Sequence, residues 1–248
     1  MKAMLFAAGL GTRLRPLTDK LPKPLVPVAG RPMIEYPLLL LRHYGITDIV
    51  VNVHHFGAML SDHLGDGDKL GVHITYSEET ELLDTGGGLL KARPFLDGDT
   101  FVVINSDVLI DVDLRAVIDR HRTSRAAATL VLRKDPAADR YGAIEISCGG
   151  RVERFLHYEA PTLAAAGPLE KFMFTGVQIL EPGIFDVMAG ETSRRFGTTT
   201  STYPKMLMRG MPLEGFVFDG LWQDLGTPER IGEAETKLAG GTVKLSYL

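Results

Sequence analysis

Short apolar runs rich in Val, Ile and Phe alternate along this chain with stretches whose apolar residues recur at helical spacing. Such alternation is typical of a sheet built from strand–helix–strand units, in which helices cover the faces of the sheet. The first run, Lys2 to Ala8, predicts a buried strand that opens the fold. The pattern therefore predicts an α/β fold, with a mixed, mainly parallel sheet flanked by helices in a single domain.

The predicted elements differ between the two halves of the chain. The first half is expected to contain strands at residues 2–8, 48–53, 72–76 and 100–105, and helices at 35–44, 57–64, 86–92 and 114–122. The second half is expected to contain strands at 127–132, 142–147, 152–156, 172–180 and 214–218, and helices at 182–189, 202–209 and 228–238. The larger share of strands there indicates antiparallel or mixed additions to a parallel half.

The composition is that of a globular protein with a small negative charge. Lys and Arg number 27 against 31 Asp and Glu, which gives a formal net charge of −4. Broad nucleic-acid binding is not expected, because affinity for the phosphate backbone needs clustered cations. The single cysteine, Cys148, excludes an intramolecular disulfide and predicts a reducing, cytoplasmic location. No segment has about 18 consecutive apolar residues, so no membrane span is predicted.

A glycine-containing loop follows the first predicted strand. Gly9 and Gly11 let backbone N–H groups turn toward an anion, although neither the dinucleotide fingerprint nor the P-loop pattern is complete. Arg13 and Arg15 lie in the same loop, and Lys23 stands between two prolines that restrict its backbone. A point charge held in this way suits the stabilisation of a pentavalent phosphorus. Taken singly, these features also fit a plain turn and a solvated lysine.

Two segments of this region carry a resemblance to an enzyme family. Gly9-Leu-Gly-Thr-Arg-Leu-Arg-Pro-Leu-Thr18 and Pro22-Lys-Pro-Leu-Val-Pro-Val-Ala-Gly30 resemble the signature of the sugar-1-phosphate nucleotidylyltransferases. These enzymes join a nucleoside triphosphate to a sugar 1-phosphate and release pyrophosphate. The resemblance implies that Arg13 and Lys23 are catalytic. It implies that the triphosphate is held by Ala8, Gly9, Gly11, Thr12 and Arg13.

The resemblance also implies a fold type and a division of the chain. The expected fold is Rossmann-like, of the nucleotide-diphospho-sugar transferase type. Residues 1–240 are expected to form the catalytic domain, with a nucleotide-binding half at 1–125 and a sugar-binding half at 126–240. Residues 241–248 are expected to form a C-terminal tail.

Two aspartates far apart in the chain are candidate metal ligands. Asp107 follows a predicted strand, at whose carboxyl end open α/β sheets place their ligands, and Asp224 precedes a predicted helix. Taken alone, each is more often a turn or cap residue. Two carboxylates, with substrate phosphates completing the shell, are a usual way of holding Mg²⁺. The resemblance of Ser106-Asp107 and of the segment 222–228 to the family pattern implies that both aspartates bind Mg²⁺, with serine at a position where relatives carry glycine.

A second glycine-rich stretch, Thr85-Gly86-Gly87-Gly88, precedes a predicted helix. Glycine is unfavourable in a helix, by about 1 kcal/mol relative to alanine, so close approach by a flat ligand is one explanation and a flexible helix entry is another. In the resembled enzymes this stretch lies on the nucleobase. Its form is most similar to that of the N-acetylmuramate-1-phosphate uridylyltransferases of cell-wall recycling. Guanylyltransferases for mannose or heptose 1-phosphates, which usually carry alanine here, remain an alternative.

The resemblance places the sugar on four residues: Asn105, Gly142, Glu159 and Thr175. Two of them have equally good structural interpretations, Gly142 as a strand glycine and Thr175 as a satisfied core hydroxyl. Many relatives have Glu-Lys-Pro where this chain has Glu159-Ala-Pro. A cationic contact to the sugar phosphate is therefore missing or comes from another residue, such as Arg140 or Lys171.

Several further polar residues are expected to be structural. His54 and His55 are adjacent, and because neighbouring residues on an extended chain point to opposite faces, we expect one packed and one exposed histidine rather than a metal pair. Asp111 and Asp113 are interpreted as helix-start residues. Trp222 is expected to be a packing residue beside Asp224 rather than a platform for the nucleobase.

The expected chemistry needs positioning and charge rather than covalent catalysis. A sugar 1-phosphate is already a dianionic nucleophile near pH 7, so no side chain has to deprotonate it. The resemblance implies transfer from UTP to a hexose 1-phosphate such as N-acetylmuramate 1-phosphate. The alternatives are a guanylyltransferase, a cytidylyltransferase for an amino-alcohol phosphate and a non-catalytic regulatory protein that binds a nucleotide sugar. No oligomeric state is predicted.

Overall fold

The computed structural model describes residues 1–136, 138, 143–165, 167–241 and 243–248. Its strands are β1 (Lys2–Phe6), β2 (Pro27–Val28), β3 (Arg31–Pro32), β4 (Asp48–Val53), β5 (His73–Glu78), β6 (Phe101–Asn105), β7 (Val108–Ile110), β8 (Ala128–Arg133), β9 (Ile144–Ser147), β10 (Val152–Phe155), β11 (Tyr158–Glu159), β12 (Leu169–Leu180), β13 (Leu213–Val217) and β14 (Trp222–Asp224). Its helices are α1 (Glu35–His43), α2 (Gly57–Leu64), α3 (Asp84–Lys91), α4 (Arg93–Leu96), α5 (Leu114–Ser124), α6 (Ile184–Met188), α7 (Tyr203–Met208) and α8 (Pro228–Ala239).

The chain forms two compact units, each assembled from separated segments. Unit 1 comprises residues 1–82, 104–112 and 220–248. Unit 2 comprises residues 83–103 and 113–219. Neither unit coincides with the contiguous halves expected from the sequence.

Unit 1 contains the parallel strands at the start of the chain. The strand order is β6–β1–β4–β5, with β6 contributing its last two residues. β1 and β4 are parallel, with Ala3 opposite Ile49, and β4 and β5 are parallel, with Asp48 opposite His73. β1 is anchored by side chains that are fully buried. The carboxyl ends of these strands lie at one edge of the sheet, where the loop after β1 begins.

Unit 2 contains the mixed part of the fold. Its strand order is β11–β10–β9–β12–β6, with β8 also paired to β12 and β13 paired to β8. β12 is antiparallel to both β9 and β8, whereas β8 and β13 are parallel. The predicted mixed α/β fold is therefore confirmed, with antiparallel additions in the second half of the chain.

Most predicted elements are present with small shifts at their ends. The strand at 48–53 and the helix at 57–64 have the predicted bounds. Residues 10–32 form three short 3₁₀ turns and the β2–β3 hairpin rather than a regular helix, as their prolines predict. Two helix starts differ by two residues from the prediction. α6 begins at Ile184 rather than at residue 182, and α3 begins at Asp84 rather than at Gly86, so the glycines lie inside α3 instead of before it.

One of the two aspartates expected at a helix start has that role. The Asp113 carboxylate accepts hydrogen bonds from the N–H groups of Arg115 at 2.9 Å and Ala116 at 3.2 Å, which caps α5. The interpretation of Asp111 was wrong. Its carboxylate accepts hydrogen bonds from Ser246, because the C-terminal segment returns to this end of β7.

Among the described residues, no helix is long and apolar enough to cross a membrane.

Candidate active site

The loop after β1 is folded against the lysine that the sequence singled out. Gly11 has a φ of +64°, in the left-handed region that favours glycine. A Cβ there would lie 2.8 Å from Lys23 Cβ and 2.9 Å from Thr18 Cγ2, so only glycine lets the side chains of Lys23 and Thr18 pack this closely against the loop. The Thr18 hydroxyl donates to the Gly11 carbonyl at 2.8 Å. The predicted phosphate loop and Lys23 therefore form one packed substructure.

A buried polar chain fixes the start of this loop. The Ala7 N–H donates to Asn52 Oδ1 at 2.7 Å, and Asn52 Nδ2 donates to Glu79 Oε1 at 2.7 Å. Asn52 and Glu79 are buried, with 3% and 5% of their surface exposed. Buried polar groups are costly unless they are paired, so these two hydrogen bonds hold the backbone in place directly before Ala8 and Gly9. Sequence reasoning missed both residues, although Asn52 is the one polar residue inside the run IVVNV.

Lys23 forms an ion pair with Asp107, the first predicted metal ligand. The Lys23 side chain is 13% exposed and that of Asp107 is 22% exposed. The N–H of Ser106 donates to the Phe6 carbonyl at 3.1 Å, which ties the turn after β6 to the end of β1. Ser106 is buried, so the serine found in place of glycine fits this turn. Lys23 and Asp107 thus meet at the carboxyl edge of the unit 1 strands.

A short antiparallel ribbon, β7 with β14, brings the second aspartate to the same place. Asp224 lies opposite Val108, the residue that follows Asp107. The N–H of Leu225 also donates to the Asp107 carbonyl at 2.9 Å. Residues distant along the chain are therefore neighbours here. The structure thus places Asp107 between Lys23 and the strand of Asp224, and the shared role of these three residues stays a prediction.

The Asp224 carboxylate is held by several groups of unit 1. Oδ1 accepts the N–H of Gly226 at 2.7 Å, and Oδ2 forms an ion pair with Arg230 of α8. A Cβ on Gly226 would lie 2.6 Å from Arg13 Nη2 and 2.7 Å from Asp224 Oδ1, so the Arg13 guanidinium and the Asp224 carboxylate pack against this glycine. Arg13 therefore lies beside Asp224. Sequence reasoning missed Arg230 and Gly226.

The donor groups at this site suit a hard divalent cation. Asp107 and Asp224 supply carboxylate oxygens, the ligands that Mg²⁺ prefers. Asp107 lies in the turn just before β7, Asp224 ends the paired strand β14, and each carboxylate is neutralised by a basic side chain in this structure. A cation could take over that neutralisation. The residues present therefore fit Mg²⁺, and their role as its ligands stays a prediction.

In unit 2, the glycine-rich stretch packs against another segment of the same unit. The N–H groups of Gly86 and Gly87 both donate to the Phe196 carbonyl, at 2.8 and 3.1 Å. A Cβ on Gly87 would overlap the carbonyl oxygen of Arg194, and one on Gly86 would overlap the Phe196 ring. Gly88 is buried as well. The close approach that these glycines permit is thus made by the chain itself, while contact with a base remains a prediction.

We expect Gly87→Ala to destabilise the protein by about 1–3 kcal/mol, because the new Cβ meets backbone rather than a side chain that could move away. Gly183 of the same unit is the matched control. It has a helical φ of −56° with nothing within 4 Å of a Cβ, so Gly183→Ala should be neutral or slightly stabilising. Urea unfolding of both variants measures the difference. Equal stabilities would contradict this account of Gly87.

The segment that packs on these glycines is held by side chains. The N–H of Thr198 donates to Thr85 Oγ1 at 2.9 Å. The Glu191 carboxylate accepts hydrogen bonds from Ser201 at 2.5 Å and Lys205 at 2.6 Å. Partial burial acts to raise the pKa of Glu191, but these hydrogen bonds outweigh it, so the pKa lies below its usual range. Thr85, predicted to bind nucleotide, therefore also orders residues 198–202.

The four predicted sugar contacts have different outcomes. Thr175 is 1% exposed and its hydroxyl donates to the Val131 carbonyl at 2.8 Å, which favours the core interpretation over a side-chain contact with sugar. Glu159 is exposed and forms an ion pair with Arg154 at 3.0 Å. Asn105 is half-buried at the end of β6. Gly142, like Arg140, lies outside the described residues.

The cation beside Glu159 is Arg154, which sequence reasoning missed. Arg154 lies opposite Glu159 in the β10–β11 pair and also contacts Glu145 at 2.7 Å. Lys171, the other cation considered, lies opposite Glu145 in the β12–β9 pair. Alternation along a strand does not show which charged residue of a neighbouring strand faces a given glutamate, so the sequence carried no signal for this pair.

The two adjacent histidines behave as expected. His54 is half-buried, and its Nδ1 lies 2.8 Å from the Glu79 carbonyl oxygen. His55 is exposed, and its ring centroid lies 3.9 Å from that of Phe56. The prediction of one packed and one exposed histidine is confirmed. Trp222 is half-buried in β14, next to Gln223 in the ribbon.

The glycine-containing loop after β1, Lys23 with its partner Asp107, and Asp224 on the adjoining strand β14 form a group of residues suited to binding anions and a divalent cation. The family comparison agrees. The chain belongs to the nucleotidyl transferase family, whose model matches residues 2–240. That match covers nearly the whole chain, as one family domain.

Curated relatives include two uridylyltransferases. The chain is 37% identical to an N-acetylmuramate α-1-phosphate uridylyltransferase from Neisseria meningitidis, over 97% of this chain and 99% of that protein. It is 35% identical to a UTP–glucose-1-phosphate uridylyltransferase from Synechocystis, over 91% of this chain. The match spans only 60% of the length of the Synechocystis protein.

A solved structure shows the same fold. It is a Bacillus anthracis protein, described provisionally as a glucose-1-phosphate thymidylyltransferase, in complex with sucrose. The TM-score is 0.83 at 25% identity, and the match covers 95% of this chain and 94% of that one. The expected nucleotide-diphospho-sugar transferase fold is therefore confirmed.

Proposed function

We propose that this protein transfers a uridylyl group from UTP to a hexose 1-phosphate, with N-acetylmuramate 1-phosphate as the favoured acceptor. The products are a nucleotide sugar and pyrophosphate. The observation that carries the reaction class is the ion pair of Lys23 with Asp107 beside the strand of Asp224. The choice of substrates is supported by the Neisseria relative, which matches this chain over nearly its full length.

In the proposed reaction, an oxygen of the sugar phosphate attacks the α-phosphorus of the triphosphate. A new P–O bond forms as the bond between the α-phosphorus and the bridging oxygen breaks, and pyrophosphate leaves with that electron pair. The attacking group is already anionic, so no proton has to be removed. The protein has to hold two polyanions together and neutralise the charge that develops between them.

The residues of unit 1 are assigned to these tasks. The backbone of the loop at residues 8–12 binds the phosphates, and the Arg13 guanidinium and the Lys23 ammonium stabilise the charge on the reacting phosphate. Asp107 and Asp224 would hold Mg²⁺. When bound there, Mg²⁺ would neutralise phosphate oxygens and help to orient them. Lys23 is paired with Asp107 in the structure, and contact with phosphate would require the ammonium to turn from that carboxylate toward the substrate.

A substrate panel tests the proposal. The four nucleoside triphosphates are each combined with the 1-phosphates of N-acetylmuramate, N-acetylglucosamine, glucose and mannose, and pyrophosphate release is measured with Mg²⁺ present. We expect the highest kcat/KM for UTP with N-acetylmuramate 1-phosphate, by at least about tenfold over the other pairs. A higher value for GTP with mannose 1-phosphate would assign a guanylyltransferase instead.

The same panel tests the non-catalytic alternative. Binding of a nucleotide sugar without Mg²⁺, together with no turnover for any substrate pair, would identify a regulatory protein. We regard this as the weaker proposal, because a sensor of nucleotide sugars has no need for Lys23 and two aspartates in one arrangement. A cytoplasmic location and a place in cell-wall recycling belong to the uridylyltransferase proposal.

A further inference from the structure

The ribbon formed by β7 and β14 carries the two candidate metal ligands at one of its ends. Three residue pairs join the strands: Val108 with Asp224, Leu109 with Gln223, and Ile110 with Trp222. Backbone hydrogen bonds close both ends. Leu225 N–H donates to the Asp107 carbonyl at 2.9 Å, and at the far end Asp111 N–H donates to the Leu221 carbonyl at 3.1 Å. Two strands of three residues each give little stability on their own.

The C-terminal segment, residues 243–248, binds the far end of this ribbon. Asp111 Oδ2 accepts the Ser246 N–H at 2.9 Å, and Asp111 Oδ1 accepts the Ser246 hydroxyl at 2.6 Å. The two flanking side chains are buried, with Leu245 3% and Tyr247 5% exposed. The segment is therefore held in place by the two hydrogen bonds between Ser246 and Asp111, which we call the Ser246–Asp111 clip. A buried apolar side chain lies on each side of it.

The Tyr247 side chain shows how closely the segment is packed. Its hydroxyl is buried and has no hydrogen-bond partner within the described part of the chain. Burial raises the pKa of Tyr247 above its usual range, and nearby Asp111 raises it further, so the phenol stays neutral. The packing of the ring, rather than the hydroxyl, is what this residue contributes.

Helix α8 holds the middle of the ribbon. Gln223 Nε2 donates to Glu233 at 3.1 Å, and Lys237 donates to Gln223 Oε1 at 2.7 Å. Arg230 of the same helix pairs with Asp224. The ribbon is therefore supported at the ligand end and in the middle by α8, and at the far end by the C-terminal segment.

We infer that the C-terminal segment is a positioning element for the metal site: the Ser246–Asp111 clip sets the register of β7 and β14 and so the placement of Asp107 and Asp224. Ser246 and Asp111 are positioning residues in this inference and touch neither substrate nor metal. The importance of this placement for Mg²⁺ binding rests on the proposed function.

The experiment compares Ser246→Ala with Ser246→Thr in the full chain. Ser246→Ala loses one bond of the clip, so we expect about fivefold faster hydrogen exchange at the amides of both Asp111 and Leu225, with unchanged exchange in β4. The half-saturating Mg²⁺ concentration should rise by about threefold with little change in kcat at saturating Mg²⁺. Ser246→Thr keeps the hydroxyl and should restore wild-type values.

A truncation, a conservative variant and a control test the same two readouts, hydrogen exchange and the Mg²⁺ requirement. A chain that ends at Gly241 should exchange faster still at both amides, and Tyr247→Phe should match the wild type because the ring is retained. Ser61→Ala is the matched control, since Ser61 is a half-buried serine of α2 whose hydroxyl donates to the nearby Ala58 carbonyl at 3.0 Å, within its own helix. It should change neither readout.

The outcomes separate this inference from the proposed function. Faster exchange at Asp111 alone, with Leu225 unchanged, would overturn the inference, because the clip would then act only locally. An unchanged Mg²⁺ requirement in Ser246→Ala despite faster exchange at Leu225 would overturn it too. Failure of the wild type to use any substrate pair would defeat the proposed function, whereas hydrogen exchange would still decide whether the clip sets the ribbon.

Discussion

Lys23→Ala is expected to lower kcat by about 10²–10³-fold while the affinity for UTP changes by less than about threefold. The lysine stem packs against Gly11 and its ammonium lies at Asp107, so the charge is placed at the site rather than in bulk solvent. A charge of this kind acts on the transition state, whereas loop N–H groups and Arg13 continue to hold the triphosphate. Single-turnover kinetics and calorimetric titration with UTP measure the two effects separately.

Lys20→Ala is the matched control for this variant. Lys20 is an exposed lysine just before the Pro-Lys-Pro segment, and it should tolerate the change. Equal kcat values for Lys23→Ala and wild type would remove Lys23 from the chemistry. A loss of UTP affinity as large as the loss of kcat would make it a ground-state binding residue instead.

Asp224→Asn is expected to lower kcat by about 10²-fold or more at physiological Mg²⁺ and to raise the half-saturating Mg²⁺ concentration at least about tenfold. Asparagine keeps an oxygen that can accept the Gly226 N–H, so the local fold is retained while the negative charge is lost. Arg230 then lies beside a neutral group, and its charge opposes the approach of a cation. Activity measured over a Mg²⁺ titration shows whether the loss is one of metal affinity.

Glu229→Gln is the matched control for Asp224→Asn. It also replaces a carboxylate by an amide, but in the first turn of α8 and outside the β7–β14 ribbon, so it should leave the Mg²⁺ titration unchanged. Thermal unfolding of both variants monitors the fold. If Asp224→Asn needs no more Mg²⁺ than the wild type, then Asp224 is a structural residue that anchors Arg230 and not a metal ligand.

The elements of unit 1 could be predicted because their signals are local. The run DIVVNV is bounded by polar residues, and α2 follows from the spacing of its apolar positions, so both were found with the right bounds. The loop at residues 9–23 could be singled out because glycine, arginine and flanked lysine each carry a specific physical meaning. The structure then brings Lys23 to Asp107, as the site requires.

Long-range pairings could not be predicted in the same way. Strands β7 and β14 have three residues each, too short for a period to show. They pair with each other, and α8 holds β14 through Gln223 and Asp224. Thr175 illustrates a second limit. Its hydroxyl is satisfied by Val131 on a neighbouring strand, and nothing in the local sequence separates that role from contact with a sugar. Glu79, which directly follows β5, was missed because its partner, Asn52, lies on β4 and is 27 residues earlier in the chain.

The discontinuity of unit 1 has a consequence for the order of events during synthesis. Asp107 leaves the ribosome early, whereas Asp224 emerges only after the whole of residues 113–219 has been made. The carboxylates of Asp107 and Asp224 cannot come together before the chain between them has been made. Contacts between residues so far apart in the chain carry a large entropic cost, and they form late. A nascent chain can therefore fold its first parallel strands before the two proposed Mg²⁺ ligands are brought together. Under the proposed function, Mg²⁺ binding would report that residues 220–248 have joined the rest of unit 1.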